Sequence, residues 1–125
     1  MSHFTTIKTQ IRDIEALRRA CTELGLSLLD KAEARGYANQ NKVGDHVIRL
    51  KGPYDIALTK SQDGSYELTT DWWDGHVEKE VGPNFGKLLQ LYGVHKAILE
   101  ARKKGLSVLR KAKQDGSIKL ILIGA

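Results

Sequence analysis

Residues 25–33 read Gly25-Leu26-Ser27-Leu28-Leu29-Asp30-Lys31-Ala32-Glu33, and eighty positions later residues 105–113 read Gly105-Leu106-Ser107-Val108-Leu109-Arg110-Lys111-Ala112-Lys113. Each copy passes from a helical pattern through a glycine into a run that suits a strand. Glycine at that point lets the chain leave a helix through the left-handed conformation. Chance, or helix-exit chemistry shared by the two places, accounts for nine aligned positions as well as duplication does. The echo supports two strand-helix-strand units on one antiparallel sheet.

Outward from the first copy, Ile14, Leu17, Cys21 and Leu24 recur at helical spacing behind Asp13, a suitable N-cap. Before them residues 1–11 alternate at period two, with Thr5, Ile7, Thr9 and Ile11 on one face, and read as a strand. Residues 36–44 are polar and bracketed by glycines, which predicts a loop. Strands are predicted at 46–51, 54–60 and 66–70, the last two joined through Asp63-Gly64. Residues 71–82 are irregular. Pro83 opens a helix over roughly 84–104, with Phe85, Leu88, Leu91, Tyr92, Ile98 and Leu99 as its buried side. Residues 106–113 and 117–123 close the chain as a hairpin around Asp115-Gly116. The expected fold is α+β: one antiparallel sheet covered on one face by two helices, ferredoxin-like or split βαβ, with a candidate internal pseudo-repeat. The other sheet face is left for solvent or a partner.

At 125 residues the chain suits a single domain over 1–125. Its 41% hydrophobic and 28% charged residues are ordinary for a globular protein. One cysteine builds neither a disulfide framework nor a multi-cysteine zinc site. An unpaired Cys21 and an N-terminus without a secretory pattern predict a cytoplasmic location. The longest apolar run, Leu120-Ile121-Leu122-Ile123, is far below the roughly 20 residues of a membrane span.

The net charge of +5 is unevenly placed. Residues 1–83 sum to −2 and residues 84–125 to +7, while residues 62–80 carry −5. Arg102, Lys103, Lys104, Arg110, Lys111 and Lys113 flank one turn, a candidate phosphate-binding patch; the competing reading is a solvated helix end, favoured because no aromatic RNA-binding motif accompanies it. The acidic stretch reads as a solvated surface. Trp72-Trp73-Asp74-Gly75-His76 is the most distinctive cluster. Adjacent side chains of an extended segment point to opposite faces, so one indole is expected to be partly exposed. Trp72, Trp73, Asp74 and His76 are therefore candidate protein-contact residues, against the alternative that both indoles cap the open end of a small core.

His3, His46, His76 and His95 form no metal-binding pair at recognised spacing, and neither metal nor cofactor is expected. His95 falls in the apolar stripe of the long helix, where a hydrogen-bonded structural role outweighs a catalytic one; His3 is a conceivable neighbour. No catalytic residue is assigned.

Met1-Ser2-His3-Phe4-Thr5-Thr6-Ile7-Lys8-Thr9-Gln10-Ile11-Arg12-Asp13, Tyr54-Asp55-Ile56-Ala57, Leu91-Tyr92-Gly93-Val94-His95 and Asp115-Gly116-Ser117-Ile118-Lys119-Leu120 resemble the hypothetical chloroplast reading frame thirty-five family of cyanobacteria and plastids, a domain of unknown function. The resemblance spans nearly the whole chain and thins over Trp72–Glu80, so no role is inherited there. It implies no activity, cofactor or catalytic residue. Through bacterial relatives associated with AAA+ ATPases and small accessory proteins, it implies an adaptor-like role with an AAA+ ATPase as partner. Three functions follow in order: a non-enzymatic protein-interaction or adaptor module, a nucleic-acid-binding (RNA) module using the basic final third, and, a distant third, an enzyme or metal protein built on His3 and His95. The opposed charges also permit a head-to-tail contact between copies.

Overall fold

The computed structural model describes residues 4–36 and 41–124. Seven strands and three α-helices follow in the order β1 (Phe4–Lys8), α1 (Ile14–Glu23), β2 (Ser27–Ala34), β3 (Lys42–Arg49), β4 (Ile56–Lys60), β5 (Tyr66–Asp71), the short α2 (Glu78–Val81), α3 (Gly86–Lys103), β6 (Ser107–Ala112) and β7 (Ile118–Ile123). Strands β1 to β5 form one sheet in the order β1-β5-β4-β3-β2, every neighbouring pair antiparallel. Four antiparallel steps leave β1 and β2 parallel at opposite edges. The β1-α1-β2 unit is thus a split βαβ with three strands between its halves.

Local chemistry explains the helix ends. Asp13 Oδ1 accepts from Ala16 N at 3.1 Å as the N-cap of α1. At its exit Leu26 N donates to Cys21 O (2.8 Å) and Gly25 N to Thr22 O (3.0 Å), with Gly25 at φ 75°. The exit of α3 repeats this: Leu106 N to Ala101 O (2.9 Å), Gly105 N to Arg102 O (3.0 Å), Gly105 at φ 75°. The eighty-residue echo is therefore two uses of one helix-exit motif. It does not mark two units on one sheet, because among the described residues β6 and β7 pair only with each other, in a sheet of their own.

The core lies between the sheet and the helices, where Leu17, Ile48, Ile56, Leu58, Leu68, Phe85 and Leu88 are fully enclosed. Strand β1 is shorter than the alternation predicts. Past Lys8 the chain stays beside β5, but Thr9 Oγ1 takes over the contact by donating to Tyr66 O (2.7 Å) and accepting from Ile11 N (3.1 Å).

The expected free face of the sheet is partly covered. Lys31 in β2 adopts φ 46°, and at Gly44 in β3 a Cβ would stand 2.7 Å from His46 O and 2.9 Å from Leu58 O. Beyond these points the β2–β3 arm folds back over the sheet. Ala34 is buried there with Val47 and Ala57. Asp55 N donates to Arg35 O (3.0 Å) and Arg35 N to Asp55 Oδ2 (3.0 Å). Strand β3 accordingly begins at Lys42, inside the stretch predicted as loop.

The buried Asp55 carboxylate pins the arm. Its Oδ2 also accepts from Arg35 Nε (2.9 Å), and its Oδ1 from Arg35 Nη2 (2.8 Å) and Leu50 N (3.1 Å). Arg49 Nε lies 3.1 Å from Oδ2 as an ion-pair partner whose N–H points elsewhere. Burial pushes this carboxyl up, but the donors from Arg35 and Leu50 outweigh it, and its pKa is lowered.

Candidate functional site

The basic final third is built on the end of α3 and the β6–β7 hairpin. The hairpin closes through Asp115, whose Oδ1 accepts from Ser117 N (2.9 Å) and Ser117 Oγ (2.6 Å), with Gly116 at φ 88°. The same Asp-Gly-Ser arrangement closes β4–β5 at Asp63. Two contacts fasten the hairpin to the helices. Gln90 Nε2 donates to Gly116 O at 2.9 Å. Arg110 forms a two-pronged pair with Glu23 at the end of α1, Nη1 to Oε1 at 2.9 Å and Nη2 to Oε2 at 2.7 Å.

His95 Nε2 meets the same Glu23 Oε1 at 2.8 Å. Arg110 above all, against the opposing pull of burial and with help from His95, holds the Glu23 carboxyl down at about 2. Both helices and the hairpin thus converge on one carboxylate. His95 is hydrogen-bonded, its neighbour being Glu23, and His3 lies outside the described residues. Farther along α3, Lys96 bridges Asp13 (3.2 Å) and Glu100 (3.0 Å), and Lys103 reaches Glu100 (3.4 Å).

This pairing divides the predicted basic patch. Arg110 and Lys103 have carboxylate partners. Among the described residues, Arg102, Lys104, Lys111, Lys113 and Lys119 form no ion pair and all are exposed.

Cross-strand register separates the faces of the hairpin. Val108 opposes Leu122, Arg110 opposes Leu120 and Ala112 opposes Ile118 on the face toward the helices, where Ile118 packs against the core. The outer face carries Ser107 opposite Ile123, Leu109 opposite Ile121, and Lys111 opposite Lys119. Leu109 is 45% exposed and Ile123 50%; Leu122, near the open end of the inner face, is 58% exposed. Of the four large hydrophobic side chains exposed among the described residues, three are on this hairpin and the fourth is Val43. Sequence reading missed this surface. The available signal was Ile118-Lys119-Leu120-Ile121-Leu122-Ile123, whose failure to alternate is unusual for a strand with one wet face.

The tryptophan segment is differently constructed. Buried Asp71 accepts from Trp73 N at 2.9 Å through Oδ1. Trp72 and Trp73 are both half-buried and packed against the main core, the Trp72 ring 4.8 Å from that of Phe85. His76 stands edge-on to Tyr54 at 5.3 Å, with Asp74 3.7 Å away. The backbone here is constrained, with positive φ at Asp74 (58°), Asn84 (54°) and Phe85 (63°). The acidic stretch is no single surface. Asp71 is buried, and Glu80 accepts from Lys51 N (2.8 Å) and Gly52 N (3.0 Å), so Asp63, Asp74 and Glu78 are its exposed carboxylates.

Among the described residues no group of three or more His, Cys, Asp or Glu side chains is disposed to hold a metal ion, and no helix is long and apolar enough to cross a membrane. Burial pushes the Cys21 thiol up to about 12, which keeps it protonated and unreactive.

A family model described as "Protein of unknown function (DUF1257)" matches residues 20–121. The chain is 37% identical over 127 residues to the uncharacterized protein ycf35 of Pyropia yezoensis, spanning 98% of this chain and 96% of that one. The proteins of the same name from Guillardia theta and Cyanophora paradoxa are each 29% identical over 126 residues, with the same coverage. No solved structure matches.

Proposed function

The chain belongs to the DUF1257 family of proteins of unknown function, and from that premise we propose that it is a non-enzymatic protein-interaction module, adaptor-like, that docks its partner on the β6–β7 hairpin. The observation that carries this reading is the exposure of Leu109 and Ile123, flanking Ile121 on the outer face of a hairpin that stands outside the main sheet. Contiguous exposed apolar surface on a small domain marks contact sites. Three contributions act together: the Glu23–Arg110 pair holds the hairpin, its inner face anchors on the core, and its outer face supplies apolar area. We place the module in the cytoplasm, where the unpaired, buried Cys21 meets no oxidising requirement.

The test is affinity capture from the native cell with three baits: wild type, Leu109→Ser/Ile121→Ser, and Trp72→Ala/Trp73→Ala. Specific retained proteins should be lost with the hairpin variant. An unchanged set of retained proteins with a folded hairpin variant would sink the reading; loss with the tryptophan variant alone would move the docking surface to residues 72–76.

A second reading, a nucleic-acid-binding module, is favoured by the five exposed cations without ion pairs. Salt-titrated binding to random RNA decides it. No retention at low salt, or RNA affinity unchanged by charge reversal at Lys104, Lys111, Lys113 and Lys119, removes it.

A further inference from the structure

We infer that the segment docking on the outer hairpin face is an extended acidic–apolar one, its carboxylates about two residues from its apolar side chains. The inference rests on the hairpin being the docking surface. On that face Leu109 opposes Ile121, and one step along Lys111 opposes Lys119. Positions two apart on a strand are separated by about 6.6 Å. An extended segment laid over the face meets apolar contact and then positive charge at its own two-residue period.

The charge argument is the stronger half. Directly opposed side chains sit roughly 5 Å apart, and like charges there are destabilising. Arg110 finds intramolecular relief in Glu23, and Lys96 and Lys103 find it in Glu100; among the described residues Arg102, Lys104 and Lys113 lack such relief, but no ladder partner sets a like charge opposite them. Lys111 and Lys119 have no relief among the described residues. A carboxylate from outside supplies it. The edge argument agrees. Among the described residues strand β7 pairs only with β6, and its residues 118–123 carry one charge and no proline. Natural edge strands are usually blunted by such groups or covered.

The same features disfavour the other occupants. A second copy placing its hairpin on this one would set Lys111 and Lys119 against their own counterparts. RNA would answer the lysines but leave Leu109 and Ile123 wet, and residues 105–124 contain no aromatic ring on which a base could stack.

The full chain is titrated by fluorescence anisotropy against three labelled polyanions: a random copolymer of glutamate and tyrosine, polyglutamate, and polyuridylate RNA. The copolymer should bind about tenfold more tightly than polyglutamate, the scale of one lost apolar anchor. Leu109→Ser/Ile121→Ser should abolish that preference and leave polyglutamate binding intact; Lys111→Glu/Lys119→Glu should abolish both. Circular dichroism and a thermal melt verify that each variant is folded. Equal affinity for copolymer and polyglutamate, a preference that survives Leu109→Ser/Ile121→Ser, or no binding to either overturns the inference. Polyuridylate bound as tightly, and sensitive only to the lysine changes, overturns it in favour of nucleic acid. Concentration-dependent dimerisation in sedimentation, lost in Leu109→Ser/Ile121→Ser, overturns it in favour of a second copy. Captured proteins lost with Leu109→Ser/Ile121→Ser but retained by Lys111→Glu/Lys119→Glu would leave the docking surface standing and remove the acidic partner alone.

Discussion

Replacing Asp55 by Asn should release the arm that folds over the sheet, and the size of the effect follows from the contacts. The carboxylate is wholly buried and accepts four hydrogen bonds, three from Arg35 and one from Leu50 N. Asparagine keeps the shape but offers one acceptor oxygen, and turns an amide NH₂ toward donors it cannot satisfy. Removing one partner of a buried charge pair typically costs about 3–5 kcal/mol. Arg35 is itself 41% exposed and regains water, so about 3 kcal/mol is expected, at the lower end of that range. For a domain of this size that lowers Tm by roughly 10–15 °C. Urea denaturation followed by circular dichroism gives the free energy. Hydrogen exchange locates it, because the Arg35 amide, bonded to Asp55 Oδ2, should lose protection well before the amides of β4 and β5. Native pairing lowers the Asp55 pKa. Its contribution is thus full above the unfolded carboxylate range and fades as pH falls through and below it; the gap between wild type and Asp55→Asn should narrow in acid. A loss below about 1 kcal/mol, the ordinary cost of a point change, or uniform loss of protection across the sheet, would refute the view that Asp55 pins the arm.

Glu23→Gln should flatten the acid limb of stability. The carboxyl titrates near 2 in the folded chain and near 4.3 unfolded, so its contribution is present above about pH 4.3 and lost on descending toward pH 2. At a third exposed the group is screened, and about 1–2 kcal/mol should separate the variants at pH 6, read by urea titration at stepped pH. Gly44→Ala should cost about 1–3 kcal/mol, since the added methyl meets backbone oxygens on two strands and neither can retreat; unchanged stability would mean the arm does not bend there. Lys31→Gly should be neutral or stabilising by up to roughly 1 kcal/mol, and Lys31→Val destabilising, because a β-branched residue is strained at φ 46°. Thermal melts of the pair check the sign.

Local chemistry made much of the fold legible in the sequence. The cap at Asp13, the exits at Gly25 and Gly105 and the Asp-Gly turns each act within a few residues, and each stands where its pattern puts it. What stayed hidden depends on distant partners. Nothing within 106–123 says that the hairpin will decline the main sheet, since pairing with another strand is decided by core geometry. Lys31 carries no sign of a left-handed backbone; the arm imposes it through Arg35 and Asp55, twenty residues apart. Among the candidate residues, His95 makes a hydrogen bond whose partner, Glu23, the helix pattern could not show, because a helix surface pattern does not reveal what a neighbouring element will bring to it. The basic run showed its charge, but which cations are neutralised depends on Glu23 and Glu100. The apolar run at 118–123 was visible, and its exposure was not, because that depends on where the strand is laid.

The pairing of β1 with β5 has a consequence for how the chain assembles. Thr6 and Thr69 touch across 63 positions, so β1 must wait through the synthesis of four strands for β5, its neighbour in the sheet. Meanwhile β2 to β5 can close by successive turns, each a short loop to bridge. The last pairing in the sheet is thus a recruitment event, open to any β1 within reach. In a crowded refolding mixture, a neighbour's first strand fits that vacancy as well as the chain's own, and slow dilution should raise the yield of monomer.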